Sequence, residues 1–275
     1  MDHLHNVAAN IKSLKIQGAE NVAKAAILAW EKAKDKNEAE KILKRTRPTE
    51  PMLRNSLKYL SKYGDPASLL KMISEADAKI ARYGRGMIPN NSIVYTHCHS
   101  STVVSILVAA KASGRRFAVN LTETRPDLQG RITANNLSRH GIPVSMYVDS
   151  AAMQAMKAAD IMLIGADVIT SYGSAINKIG SGLFSKIAHE LEIPVYVATS
   201  VMKFDPATEL GKREKIESRS PRSVWNVHSK RIHIVNKVFE EVEASNITAF
   251  ITEFGVIKAE SVLNELHKHY AWMFE

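Results

Sequence analysis

From Pro89 onward the chain alternates short apolar runs with helical stretches, and this alternation restricts the fold more than any other feature. The runs span 92–96, 117–121, 143–148, 161–164, 194–198 and 232–235, with a weaker one at 247–251. Each is too short for a helix and suits a buried strand. Helical patterns lie between or after them at 101–112, 127–139, 151–157, 178–190 and 258–267. Gly114 and Gly141 stand where helix C-terminal glycines belong. Strand and helix in alternation imply a mainly parallel, doubly wound sheet. The stretch 205–231 is polar and basic and reads as a long excursion.

Before Pro89 no strand pattern occurs. Val22, Ala25, Ala26, Ala29 and Trp30 form a core-facing stripe over 21–31. A charged helix at 32–47, solvent-facing apart from Ile42 and Leu43, is broken over 47–51. Pro51 then opens a helix carrying Met52, Leu53, Leu57 and Leu60. Asp65 as N-cap with Pro66 behind it opens another, which passes through Ile73 and Ile80 and is expected to stop at 83–86. The expected fold class is α/β, with an N-terminal all-helical domain at 1–88 followed by a mainly parallel sheet domain at 89–275.

At 275 residues and 45% hydrophobic, the chain has apolar area for a full core. No apolar run approaches the roughly 18 residues of a membrane span, and Met1–His5 lacks the features of a signal peptide. One cysteine, Cys98, excludes an internal disulfide and fits a cytoplasmic setting. The net charge of +9 is spread through helices and mixed with acids, which favours a solvated surface over a polyanion-binding face.

Four stretches can carry chemistry. In the first, the apolar run 161–164 ends in Gly165-Ala166-Asp167, continues through the small polar residues 170–174, and reaches Asn177-Lys178 before a helix. Ligands in parallel sheets sit at carboxyl ends of strands, and a helix N-terminus suits an anion. The plain alternative is an ordinary loop with a solvated aspartate. In the second, Cys98 sits near a helix start, where the dipole favours thiolate, and Ser100, Ser101 and Thr102 cap that helix or hold a phosphate. A buried, inert cysteine is the plain alternative there. Zinc on His97, Cys98 and His99 is disfavoured, because adjacent strand residues face opposite ways and no second cysteine exists. No metal and no cofactor is expected. The third stretch, 122–130, offers a polar wall, and the fourth, 199–204, offers Lys203 for a phosphate or simply to solvent. Neither a G-x-x-x-x-G-K-[ST] loop nor a G-x-G-x-x-G fingerprint is present.

THCHSSTV (96–103), TETRPDLQG (122–130), GADVITSYGSAINKIG (165–180) and NITAFITEFGVI (246–257), in this order, resemble the translation initiation factor 2B alpha, beta and delta subunit family. That family also includes methylthioribose-1-phosphate isomerases and archaeal ribose-1,5-bisphosphate isomerases. The resemblance covers about 90–257 and extends to RPTEPMLRN (47–55) and IKSLKIQGAENVA (11–23). It implies a helical N-terminal domain, a Rossmann-like C-terminal domain and a homodimer. The catalytic cysteine and aspartate of its isomerases match Cys98 and Asp167. Their substrate-contacting positions match Arg47, Ser100, Ser101, Thr102, Gln129, Asn177, Lys178 and Lys203.

The chain departs from the family's Arg-Gly-Ala-Gly type loop, having Gln17-Gly18-Ala19-Glu20, and has Tyr172 and Glu240 where the family shows Asn and Asp. A Glu20 carboxylate near a phosphate would repel it by about 1 kcal/mol or more. The leading reading is therefore an initiation factor 2B-like regulatory or exchange-factor subunit relative. It would bind a GTP-binding translation initiation factor 2 subunit and a sugar phosphate or nucleotide. The alternative is a ribose-1,5-bisphosphate isomerase. There Cys98 would move a proton at the sugar carbon and Asp167 would serve the neighbouring oxygen.

Overall fold

The computed structural model describes residues 3–212, 216, 218–229 and 231–275. Five helices come first: α1 (His3–Lys12), α2 (Ala19–Lys32), α3 (Lys36–Lys44), α4 (Pro51–Tyr63) and α5 (Pro66–Met87). Strand and helix then alternate through β1 (Ser92–Thr96), α6 (Ser101–Ala112), β2 (Phe117–Thr122), α7 (Gln129–Arg139), β3 (Val144–Tyr147), α8 (Ala152–Met156) and β4 (Ile161–Gly165). The rest comprises β5 (Val168–Ile169), β6 (Ala175–Lys178), α9 (Ser181–Glu190), β7 (Val195–Ala198), β8 (Phe239–Val242), β9 (Ala249–Thr252), β10 (Gly255–Ile257) and α10 (Val262–His269). Among the described residues no helix is long and apolar enough to cross a membrane.

Seven strands form one sheet in the order β10-β9-β7-β4-β1-β2-β3, parallel except for β10. The alternating direction of strand side chains feeds two cores. On β4, Met162 and Ile164 join Tyr95, Phe184 and Phe250 on one face, together with Leu53 and Leu57 of α4. Ile161 and Leu163 join Val94, Val119 and Leu121 on the other, with Ile80 of α5 and Ile106 of α6. The N-terminal helices thus pack into both faces of the sheet.

Several elements depart from expectation. The charged stretch 32–47 is not one helix: α2 ends at Lys32, and the Asp35 carboxylate accepts from Glu38 N at 3.0 Å to begin α3. Helix α5 runs through Gly84 to Met87, because this glycine marks a helix crossing, where an added Cβ would lie 2.5 Å from Ile106. Helix α7 starts at Gln129. Leu128, at φ 54°, is its N-cap, and Pro126, whose peptide with Arg125 is cis, precedes it. Residues 232–235 form no strand; Val235 is 66% exposed and the run pairs with no strand among the described residues.

The largest departure lies between 165 and 181. The polar loop expected there is a hairpin, in which β5, β6 and β8 form a second, antiparallel sheet. Asn177 and Lys178 belong to β6 opposite Glu240 and Phe239, and Gly180, at φ 102°, separates them from α9. A four-residue strand, half apolar and half polar, held by a distant partner has no local signature.

The Gly84 contact yields a test. Gly84→Ala should destabilise the protein by about 1–3 kcal/mol through overpacking against Ile106. Gly86→Ala, with nothing within 4 Å of its added Cβ, should be neutral or gain up to about 1 kcal/mol from helix propensity. Urea unfolding of both variants checks the pair, and equal effects would refute the assigned crossing.

Candidate active site

Strands β1 and β4 are neighbours in the sheet, yet they pair only at Val94–Ile161 and Tyr95–Met162. Beyond that point β1 stays with β2 up to Thr96–Leu121, and β4 stays with β7 up to Gly165–Ala198. This is also where strand order reverses, since β2 and β3 lie to one side of β1 and β7 and β9 to the other. Carboxyl ends of strands at such a switch point leave a crevice that ligands use. Cys98 follows β1 and Asp167 follows β4, so each flanks it. The two loops abut: a Cβ on Gly165 would lie 2.6 Å from Ser100 Oγ.

Cys98 is buried, with φ 70°. Its backbone N–H donates to Thr124 Oγ1 at 3.0 Å, its carbonyl accepts from Thr133 Oγ1 at 2.8 Å, and its thiol donates to Gln129 Oε1 at 3.0 Å. Burial pushes the thiol pKa up to about 12. Lys178 pulls it down, and Asp167 and Asp127 push it further up. The thiolate expected from the helix dipole is therefore not the resting form. Desolvation outweighs the dipole, and the first turn of α6 is capped instead by Ser100, whose hydroxyl accepts from Val103 N at 3.3 Å.

The neighbouring histidines turn away from the thiol. His97 Nε2 faces the Ile179 carbonyl at 2.9 Å and must donate, so Nδ1 accepts from Thr122 Oγ1 at 2.7 Å. Burial lowers its pKa to about 4, consistent with this neutral form. His99 Nδ1 meets Thr133 Oγ1 at 3.0 Å. Among the described residues, no group of three His, Cys, Asp or Glu side chains is placed to hold a metal.

The other sequence-derived candidates divide into four sets. Lys178 is buried, 3.5 Å from Asp127 Oδ2 and 5.3 Å from the Phe239 ring centre. Asn177 beside it donates to Ser181 Oγ at 2.9 Å, which ties β6 to α9. Lys203 donates to the Ala166 carbonyl at 2.7 Å, immediately before Asp167. From the helical side, Arg47 and Glu50, 3.6 Å apart, share with Asp167 and Phe239 a cavity of about 10 Å³, room for about one water. A wider cleft of about 380 Å³ opens nearby, lined by Arg125, Pro126, Ile179 and Asn236. Ser101 and Thr102 begin α6, exposed and half-buried respectively.

Two acids correct the reading of the site. The N-terminus of α9, expected to hold an anionic ligand, is already occupied: Glu240 Oε1 accepts from Gly180, Gly182 and Leu183 N–H at 2.8, 2.6 and 3.2 Å. Glu20 is paired with Lys24 and hydrogen-bonded to Asp77. Burial, then Glu20, raises the Asp77 carboxyl to about 7, against the pull of Lys24 and Lys203. In the sequence Glu240 stands out only as a departure from the family's Asp; Asn55 and Glu253 carry no assigned role although they lie within RPTEPMLRN and NITAFITEFGVI, and Asp205 carries no motif that marks it.

Comparison with known proteins adds the following. Residues 13–259 match the initiation factor 2 subunit family. A ribose 1,5-bisphosphate isomerase of Pyrococcus furiosus is 35% identical over 288 residues, covering 96% of this chain and 88% of that protein. Among solved structures, a Pyrococcus horikoshii OT3 translation initiation factor eIF-2B matches with TM-score 0.84 at 26% identity, covering 94% of this chain and 98% of that one. A 5-methylthioribose 1-phosphate isomerase from the same source matches with TM-score 0.77 at 26% identity, covering 96% and 87%.

The thiol state is directly testable, because Cys98 is the only cysteine. Only thiolate alkylates, and a pKa near 12 leaves at least about 100-fold less of it at about pH 7.5 than in a free thiol. The iodoacetamide rate followed by mass should start correspondingly low and rise about tenfold per pH unit. A plateau near neutral pH would contradict the neutral resting thiol.

Proposed function

The chain belongs to the initiation factor 2 subunit family, and within it we propose that this protein is a sugar-phosphate aldose–ketose isomerase, with ribose 1,5-bisphosphate as substrate. The observation that carries this reading is the placement of Cys98 and Asp167 on the two sides of one switch-point crevice. The 35% identity to an isomerase over nearly the whole chain supports it. The initiation-factor reading, first on sequence alone, takes second place. It rested on the compact length and the altered loop at Gln17–Glu20, and Glu20 forms an ion pair with Lys24.

The chemistry is a transfer of two hydrogens. As the bond from C1 to the ring oxygen breaks, the hydrogen on C2 ends on C1 and the hydrogen on O2 ends on the ring oxygen. Cys98 serves the carbons and Asp167 serves O2. A thiol neutral at rest can first protonate the ring oxygen. The resulting thiolate, with Lys178 to stabilise it, then takes the C2 hydrogen and returns it to C1. The O2 proton, held by Asp167, restores the thiol. Lys203 and Arg47 supply positive charge for the phosphates. A pentose bisphosphate needs far more room than one water, so Arg47 and the β5–β6 hairpin must part on binding.

Turnover to ribulose 1,5-bisphosphate, followed by phosphorus NMR, tests the reading. Cys98→Ser and Asp167→Asn should each lower kcat by about 100-fold or more, the scale of lost acid–base catalysis. Folded wild-type protein without turnover would sink the proposal, and capture of a GTP-binding initiation factor subunit would then restore the regulatory reading. The homodimer implied by the family resemblance stands as a proposal as well, for which light scattering should give twice the chain mass.

A further inference from the structure

The turn that follows β7 carries Lys203, and it is held with more buried polar contacts than a solvent loop requires. Glu253, the residue after β9, is 5% exposed. Its Oε1 accepts from Ser200 Oγ at 3.0 Å and its Oε2 from Val201 N at 3.0 Å. Ser200 Oγ in turn accepts from Met202 N at 3.2 Å. One carboxylate therefore organises three consecutive residues directly ahead of Lys203. From the opposite side, Asn55 of α4 donates to the carbonyls of Met202 and Phe204, both at 2.8 Å, and Arg54 lies 3.1 Å from Asp205. Held in this way, Lys203 reaches the Ala166 carbonyl at 2.7 Å, next to Asp167.

A buried carboxylate is a costly way to close a turn. Burial pushes the Glu253 carboxyl up, against the bonds from Val201 and Ser200 and the charge of Lys79. What a carboxylate supplies here is two acceptor oxygens facing two donors; a glutamine would place its NH2 against one of them.

We propose that Glu253 is a positioning residue for the phosphate-binding lysine: through Ser200 and Val201 it fixes the turn that aims Lys203 at the crevice beside Asp167. This rests on the isomerase reading for its substrate, but the placement of Lys203 can be read without turnover.

The experiment is a double-mutant cycle on the full chain, Glu253→Gln against Lys203→Met, with two readouts. One is the KM and kcat for ribose 1,5-bisphosphate; the other is the Kd for inorganic phosphate by calorimetry. Glu253→Gln should raise KM and the phosphate Kd about tenfold while kcat changes less than about threefold. In the Lys203→Met background the same change should add less than about twofold, because it acts through the lysine. Ser200→Ala removes one of the two donors. It should show the same dependence on Lys203 with about a threefold effect, and it carries the cycle if Glu253→Gln fails to fold. Equal losses in both backgrounds, or a lowered melting temperature with unchanged KM and phosphate Kd, would overturn the proposal. If turnover is absent but the phosphate cycle is non-additive, the isomerase reading fails and the positioning role stands.

Discussion

The site depends on two parallel strands losing each other. β1 and β4 share two paired positions and then follow different neighbours. Backbone groups that pair elsewhere in a sheet must find other partners at such a split. Here Cys98 N–H goes to Thr124 and Asp167 N–H to the Ile176 carbonyl at 2.8 Å. Each side of the opening is therefore tied to a different element, one to the β2–α7 loop and the other to the hairpin. That division keeps the thiol and the carboxylate on opposite sides of the opening, close enough for the Asp167 charge to act on Cys98. Hydrogen transfer between adjacent carbons and their oxygens needs that arrangement.

Around the opening, charged and titratable side chains hold backbone. Glu240 closes the first turn of α9, Glu253 closes the turn ahead of Lys203, and Asp149 accepts from Thr124 and Arg125 N–H at 2.8 and 2.6 Å. His97, neutral, bridges Thr122 to the Ile179 carbonyl. Loops at strand ends lack ladder partners, and these side chains replace them. The helical region takes part: Asn55 and Arg54 hold the Lys203 turn, and Arg47 lines the cavity beside Asp167. A movement of α4 would accordingly change the electrostatics at Asp167.

Much of the sheet was legible because its strands are buried on both faces and read as unbroken apolar runs, such as Ile161–Met162–Leu163–Ile164, all essentially inaccessible. The hairpin sheet was not, since β5 has two residues and β6 and β8 carry Asn177, Lys178, Glu240 and Glu241, whose pairing is decided far along the chain. Cys98 and Asp167 were legible as strand-end residues within motifs. The state of the thiol was not, because it follows from how Gln129, Lys178 and Asp127 pack around it. Glu240 was legible only as a departure from the family's Asp and Glu253 only as part of a motif; the backbone groups they hold lie about fifty or more residues away in sequence, which is what turns them into parts of the scaffold.

One substrate has to span the crevice for the proposed reaction, so the most direct measurement is a crystal structure of the Cys98→Ser variant with ribose 1,5-bisphosphate bound. It should place C1 and C2 between residue 98 and Asp167, with one phosphate on Lys203. A sugar bound outside the β1–β4 opening, or one that meets only one of the two residues, would contradict it.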